Sequence, residues 1–115
     1  MIRKAEECKV EYREKMREGN GTVQITNFCN AEELNNKGRL FGKITLNPGC
    51  SIGYHVHDKD TELFYISKGT AVYTDGDTDK VVSAGDVTIC PTGTGHGIAN
   101  NSDEVVELVA LIVYP

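Results

Sequence analysis

The stretch Gly49–Gly69 reads GCSIGYHVHDKDTELFYISKG, and it decides the fold. Ile52–His57 predicts a strand, Asp58-Lys59-Asp60 a turn, and Glu62–Ser67 a returning strand. Side chains two apart in a strand point to the same side, about 7 Å apart along the chain, so the imidazoles of His55 and His57 share a face. The turn brings the Glu62 carboxylate beside them. The stretch therefore predicts two neighbouring strands that direct two imidazoles and a carboxylate to one centre.

A second stretch, Gly85–Asn100, reads GDVTICPTGTGHGIAN and contains His96, the third and last histidine of the chain. Thr92-Gly93-Thr94-Gly95 predicts a tight loop directly before His96, which only the fold can bring to the other two imidazoles. Three imidazoles and one carboxylate suit Mn, Fe, Co, Ni, Cu or Zn and do not suit Ca or Mg. If the fold gathers these side chains, they hold one divalent transition metal as a cofactor; the alternative is a surface pair of histidines that meets no ion.

The rest of the chain alternates short apolar runs with turn residues, which is typical of an all-β sandwich or barrel. The further predicted strands are Thr22–Phe28, Leu40–Leu46, Thr70–Thr74, Lys80–Ser83, Val87–Cys90 and Val105–Tyr114. Residues 1–18 fit two structures. Three- to four-residue spacing favours a helix through Ala5, Cys8, Tyr12 and Met16. Alternation with charged residues favours an edge strand through Val10 and Tyr12.

The two stretches together resemble the paired motifs of the cupin superfamily. The first has the residue types of the first cupin motif at its spacing: Gly49, His55, His57, Glu62 and Gly69. The second has those of the second motif: Gly85, Pro91, Gly93, His96 and Asn100. Residues 70–84 between them match the shortest, bacterial spacing. The chain is most similar in this respect to small single-domain bacterial cupins of the oxalate-decarboxylase-like kind.

This resemblance implies an all-β cupin jelly-roll β-barrel, or double-stranded β-helix, with the metal inside it. It implies that the metal ligands are His55, His57, Glu62 and His96. The motif glycines are expected at strand ends with positive φ, and Asn100 is expected to cap a turn. We predict a barrel over residues 36–115 and an N-terminal extension over residues 1–35, which packs on the barrel or on a dimer partner.

The predicted metal centre favours a small anionic or chelating oxygen ligand, because one glutamate leaves a divalent cation with a net charge near +1. Strand parity from Glu62 turns Phe64 inward as an apolar wall. The strand before Gly49 has two possible faces. If Arg39, Phe41 and Lys43 face inward, their cations bind a carboxylate. If instead the inward set is Leu40, Ile44 and Leu46, both cations face solvent.

Three kinds of function follow from a cupin of this kind. The first is an enzyme acting on a small oxygenated acid or polyketone as a decarboxylase, dioxygenase or lyase. The second is a sugar or uronate isomerase, and the third is a non-catalytic, metal-dependent module that binds a small ligand. The chain lacks the Ser-Glu-Asn-Ser-type lid loop and the second domain of bicupin oxalate decarboxylases, and fold alone does not choose among the three.

Composition narrows the partners and the location. A net charge of −5 disfavours nucleic acid, which needs a basic surface. No apolar run approaches the ~18 residues that span a bilayer, and residues 1–7 lack a signal peptide's apolar core, so we predict a cytoplasmic protein with its four cysteines as free thiols. The final strand is apolar on both parities, which predicts a homodimer that covers its outer face.

Overall fold

The computed structural model describes all residues, 1–115, as ten antiparallel strands joined by turns. The strands are β1 (Lys9–Glu14), β2 (Thr22–Asn27), β3 (Gly38–Leu46), β4 (Ser51–His57), β5 (Thr61–Lys68), β6 (Thr70–Asp75), β7 (Thr78–Ser83), β8 (Val87–Cys90), β9 (Thr94–Ala99) and β10 (Val106–Val113). The only helical segments are short 3₁₀ turns at Ala5–Glu7, Met16–Glu18 and Glu32–Leu34. The all-β expectation is confirmed.

The strands form two sheets that face each other across a jelly-roll barrel. One sheet has the order β1-β2-β3-β10-β5-β8, and the other has the order β4-β9-β6-β7. Their inner faces supply one apolar core, whose fully enclosed members include Val23, Ile44, Leu46, Ile66, Val106 and Leu108. Strand alternation places these side chains inward and their chain neighbours outward.

The N-terminal segment forms the edge of the larger sheet. Of the two alternatives, the edge strand is the one observed, because β1 pairs with β2 and β2 with β3. Val23 and Ile25 on β2 belong to the core, while Val10 and Tyr12 on β1 stay exposed. The segment therefore continues the barrel sheet, and the boundary at residue 35 stays a prediction.

The final strand lies in the middle of the larger sheet, between β3 and β5. Its residues alternate between buried and half-buried along its whole length. The buried set completes the core, and the other set, with Val109 and Leu111, lies on the outer face. No helix in the structure is long and apolar enough to cross a membrane.

Candidate metal centre

The four residues singled out by their spacing come together between the two sheets. His55 and His57 lie on β4, Glu62 lies on β5, and His96 lies on β9. Pairing of β4 with β9 sets His55 directly opposite His96. One potential ligand atom from each residue lies within 4.8 Å of the others, so the group is able to hold a metal ion.

An irregularity in β4 aims the first two imidazoles. The pairing of β4 with β9 shifts between Ile52 and His55, as in a β-bulge. Strict alternation would turn Ile52 and His55 to opposite faces, yet Ile52 is 3% exposed in the core and His55 faces the same interior. The extra residue therefore lets one strand supply both core packing and two metal-binding side chains.

The distances within the group fit ligands arranged around one cation. His57 Nε2 lies 3.1 Å from His55 Nε2, 3.2 Å from His96 Nε2 and 3.0 Å from Glu62 Oε1. His96 Nε2 lies 2.9 Å from Glu62 Oε1, while His55 Nε2 is 3.9 Å from it. Ligands at right angles on bonds of about 2.1 Å lie about 3.0 Å apart, so most of these pairs match neighbouring octahedral positions.

The outer nitrogen of each imidazole has its own partner. His55 Nδ1 lies 2.8 Å from the Gly53 carbonyl oxygen, and His57 Nδ1 lies 2.5 Å from Asp60 Oδ1. Because a carbonyl and an ionised carboxylate only accept, each of these Nδ1 atoms carries the hydrogen and donates it. In the neutral rings, the Nε2 lone pairs of His55 and His57 therefore face the centre.

His96 completes this second layer through a buried phenol. Its Nδ1 lies 2.8 Å from the hydroxyl of Tyr73, a residue that is only 4% exposed. If Tyr73 accepts this hydrogen, the Nε2 lone pair of His96 also faces the centre. Partners of this kind orient imidazole ligands in metal sites and fix their tautomer.

The electrostatics of the group keep its carboxylate ionised. Burial alone would raise the pKa of Glu62, but the imidazoles of His55, His57 and His96, which donate to it when they are protonated, outweigh burial and hold the pKa well below its ordinary value. The hydrogen bond with Glu62 raises the pKa of His57, with a further contribution from Asp60. Burial lowers the pKa of His96. Glu62 thus presents a negative charge to the centre.

Asp60 connects the centre to the neighbouring sheet. Its other oxygen, Oδ2, accepts a hydrogen bond of 2.8 Å from Arg39 Nε. Burial would raise the pKa of Asp60, but the bonds from Arg39 and His57 outweigh it and lower the pKa. The carboxylate therefore stays charged while it is nearly enclosed, and it holds the His57 ring in one orientation.

Phe64 lies inward, as strand parity predicts. It is 2% exposed and stacks on the His96 ring, with 5.0 Å between the ring centres and 21° between the planes. Its neighbour Tyr65 faces outward and is 48% exposed. Phe64 thus supports an imidazole of the group, and direct contact with a substrate stays a prediction.

A cavity of about 150 Å³ leads to the group from the N-terminal side of the barrel. Its lining includes His55, His57 and Glu62 at the base and side chains from β1, the Met16–Glu18 turn and β3 around them. Its volume is well below the ~300 Å³ at which pockets begin to hold drug-sized ligands. The space suits a ligand of a few heavy atoms.

Only one of the three predicted residues on β3 reaches this cavity. Ile44 and Leu46 take the core positions, so Phe41 and Lys43 lie on the outer face, where Phe41 packs edge-on against Phe28. The structure thus contradicts the inward placement of Phe41 and Lys43. Arg39 does line the cavity, because the pairing of β3 with β10 skips it between Gly38 and Leu40.

Two residues of the site have little signal in the sequence. Sequence reasoning takes Asp60 for a turn residue and Tyr73 for a phenol of the core or the rim. One signal in the sequence could have indicated the contact of Asp60 with His57: Asp60 lies three residues after His57, at the end of a short turn. Nothing in the sequence places the Tyr73 hydroxyl beside His96, because β6 meets β9 only through the fold.

The family of the chain follows from its fold, this centre and a match of residues 42–114 to the cupin domain family. The chain belongs to the cupins, and its barrel is the cupin jelly roll.

The chain is also similar to individual known proteins. The chain is 34% identical over 113 residues to an oxalate-binding protein from Thermotoga maritima, covering 98% of this chain and 93% of that protein. It superposes with a TM-score of 0.95 on the crystal structure of a predicted oxalate decarboxylase from Thermotoga maritima, with 34% identity and full coverage of both chains. An uncharacterised conserved protein from Klebsiella pneumoniae with a double-stranded β-helix domain shares the fold at a TM-score of 0.71 and 23% identity, over 86% of this chain and 83% of that chain.

Proposed function

We propose that this protein holds one divalent transition metal with His55, His57, Glu62 and His96, and binds a small carboxylate or enediolate at that metal. One observation carries the proposal. The Nε2 lone pairs of His55 and His57 face each other at 3.1 Å, and His57 Nε2 also faces a carboxylate oxygen at 3.0 Å. When both rings are neutral, these three acceptors have no donor between them and repel, and a metal cation at their centre removes the repulsion while the rings stay neutral.

The donor set supports a borderline metal. Imidazole nitrogens with a single carboxylate favour Mn, Fe, Co, Ni, Cu or Zn, and geometry alone does not select one of these. The spacing of the ligand atoms fits octahedral coordination, in which four protein ligands leave two positions for a ligand. When bound, the metal would act as a Lewis acid toward oxygen atoms in those positions.

Charge and space support a small anion as the ligand. Glu62 is the only carboxylate among the four proposed ligands and leaves the loaded centre near +1, and the cavity that leads to it holds about 150 Å³. The oxalate-binding relative, similar over nearly the full length, supports a short dicarboxylate. Decarboxylase, dioxygenase and lyase activities stay predictions, as do the sugar or uronate isomerase and the non-catalytic binding module.

The test begins with elemental analysis of protein purified without an affinity tag. We expect about one equivalent of transition metal in the wild type and little in His55→Ala and Glu62→Ala, because each removes a ligand. Oxalate is then titrated by calorimetry into metal-loaded and metal-free protein, and we expect binding only to the loaded form. Full metal content in both variants, or equal oxalate binding without metal, would refute the proposal.

A product assay separates the function classes. Loaded protein is incubated with oxalate and with a small diketone, and carbon dioxide, formate and oxygen uptake are measured. Formate with carbon dioxide from oxalate supports a decarboxylase, and oxygen uptake with the diketone supports a dioxygenase. Binding of oxalate without any product supports the non-catalytic module.

We also propose a homodimer formed through the outer face of the larger sheet. Tyr65, Val87 and Ile89 lie on that face at the edge of the sheet, and they are 48%, 58% and 59% exposed. Leu111 extends the patch inward along β10. Clustered apolar exposure of this kind marks association surfaces. In size-exclusion chromatography with light scattering, we expect the wild type to elute as a dimer and Ile89→Lys to elute as a monomer. Val81→Lys is the control, because Val81 lies on β7 of the other sheet, and we expect it to elute as a dimer. A monomeric wild type refutes the dimer.

We further propose a cytoplasmic location. All four cysteines are unpaired, and Cys90 is buried, as suits a reducing compartment. Immunoblotting of fractionated cells tests this directly: recovery in the cytoplasmic fraction is expected, and recovery in a secreted or envelope fraction refutes it.

A further inference from the structure

Three exposed arginines line the cavity that leads to the candidate metal centre. Arg13 comes from β1, Arg17 from the Met16–Glu18 turn and Arg39 from β3. The cavity's only carboxylates are Glu11 and Glu62. The cavity is therefore cationic before any metal is bound, although the whole chain carries a net charge of −5.

Arg17 has no partner within the protein. It makes no side-chain hydrogen bond and no ion pair. By contrast, Arg13 forms an ion pair with Glu11 at 3.6 Å, and Arg39 donates a hydrogen bond from Nε to Asp60 at 2.8 Å. A guanidinium keeps its charge at every physiological pH and presents a planar fork that matches a carboxylate. Arg17 is thus the free cation at this opening.

The backbone that presents Arg17 is strained. Lys15, Arg17 and Glu18 have φ values of 48°, 54° and 65°, in the left-handed region that residues with side chains rarely adopt. Clustered strain of this kind persists only where the surrounding structure imposes it, and it concentrates at functional sites.

Direct backbone packing on β4 imposes this strain. A side-chain carbon on Gly53 would collide with the Arg17 carbonyl oxygen, and one on Gly19 would collide with the Ser51 carbonyl oxygen. Ser51 N also donates to Asn20 O at 2.8 Å. The turn is therefore fixed against the strand that carries His55, whose Nδ1 donates to the carbonyl of the same Gly53.

We propose that Arg17 is a specificity-determining residue that binds the outward-facing carboxylate oxygens of a small dicarboxylate whose other oxygens face the metal centre. This inference rests on the proposed function. The small cavity excludes a bulky ligand. The metal centre binds the oxygens at one end of a small dicarboxylate, and the planar guanidinium of Arg17 fits the carboxylate oxygens at the other end. Arg39, whose two terminal nitrogens are free, lies on the same rim and adds positive charge.

Arg17→Gln removes the charge and the fork and leaves a polar side chain at an exposed position. Lys15→Gln is the matched control, because Lys15 is a cation in the same strained turn that does not line the cavity. Each Mn²⁺-loaded protein is titrated by calorimetry with oxalate, malonate and acetate, and Mn²⁺ affinity is measured separately. Circular dichroism checks the fold of each variant.

We expect Arg17→Gln to weaken oxalate or malonate binding about tenfold or more, as loss of a charge-assisted hydrogen bond does. Lys15→Gln should change it less than about twofold, Arg17→Lys should fall between, and Mn²⁺ affinity should not change. Acetate, with one carboxylate, should lose much less than the dicarboxylates.

Four outcomes would overturn the inference. Unchanged dicarboxylate binding in Arg17→Gln removes the role of Arg17 and leaves the proposed function intact. An equal loss for acetate, or for Lys15→Gln, makes the arginine a general attractor of anions. Loss of Mn²⁺ or of the fold in both Arg17→Gln and Arg17→Lys assigns the residue a structural role. A loaded wild type that binds none of the three acids refutes the proposed function, and the inference with it.

Discussion

Replacing Tyr73 with phenylalanine tests whether the fold orients the ligands before metal arrives. The Tyr73 hydroxyl lies 2.8 Å from His96 Nδ1, and burial raises the pKa of Tyr73 to about 12, so the phenol stays neutral. Without it, the buried Nδ1 loses its partner and the ring is free to rotate or change tautomer. Loss of such a partner costs about 10–100-fold in metal affinity, or about 1.4–2.7 kcal/mol.

The assay is competition for metal against a chelator of known affinity, with unfolding by urea measured in parallel. The matched control is Tyr65→Phe, since the hydroxyl of Tyr65 makes no side-chain hydrogen bond on the outer face. The metal affinity of Tyr65→Phe should stay within about twofold of the wild type. If Tyr73→Phe keeps the wild-type affinity while folded, the phenol does not orient His96 and this part of the reasoning is wrong.

Asp60→Asn should weaken metal binding about tenfold, because it removes the charge beside His57 Nδ1, whereas Asp58→Asn, at an exposed turn position, should not; equal losses would contradict this. Metal affinity should fall as the pH drops through about 6.5 and below, because protons compete with the metal for the imidazoles. The raised pKa of His57 makes this fall begin at a higher pH than for an ordinary histidine. A constant affinity between pH 8 and 5 in chelator competition would argue against histidine ligands. In urea titrations, Leu108→Ala should lower the free energy of unfolding by about 2–5 kcal/mol, because Leu108 is buried in the core. Val81→Ala, at an exposed position, should lower it by less than about 1 kcal/mol, and similar losses in the two variants would contradict this placement of the core.

Strand parity accounts for the part of the fold that was predictable. Alternation from Glu62 correctly places Phe64 and Ile66 inside and Tyr65 outside. The motif glycines Gly49, Gly69 and Gly85 have φ values of 84°, 86° and 98°, as expected at strand ends. These features depend on neighbours in sequence, which the sequence states directly.

Features set by distant strands were not predictable. The bulges at β4 and at Arg39 arise from pairing with β9 and β10, and each changes which side chains face the interior. Strand parity left two faces open for β3; Ile44 and Leu46 take the inner face, and the bulge brings Arg39 to the cavity although Phe41, of the same parity, faces outward.

The loop expected before His96 was also wrong in part. Residues 94–99 form β9, with His96 in its interior. Gly95 and Gly97 suggest a loop, but here they make room for Tyr54 and the backbone of β4 at close range. The prediction that Asn100 caps a turn is confirmed, since its Oδ1 accepts from Ser102 N at 3.0 Å.

The four proposed ligands were found from their spacing and family resemblance, whereas the groups that orient them were not. Motif residues carry a fixed offset, but Tyr73 and the Gly53 carbonyl contribute through contacts that only the folded barrel creates. The sequence did not indicate that arginines of the N-terminal segment line the cavity, because they are interleaved with glutamates, a pattern typical of a solvent-exposed face.

Anomalous diffraction from crystals of the untagged protein soaked in Mn²⁺ tests the metal centre most directly. We predict one strong peak within about 2.0–2.3 Å of the three histidine Nε2 atoms and of a Glu62 carboxylate oxygen. A peak elsewhere with none at this centre, or no peak from protein shown in solution to bind the ion, would contradict the account.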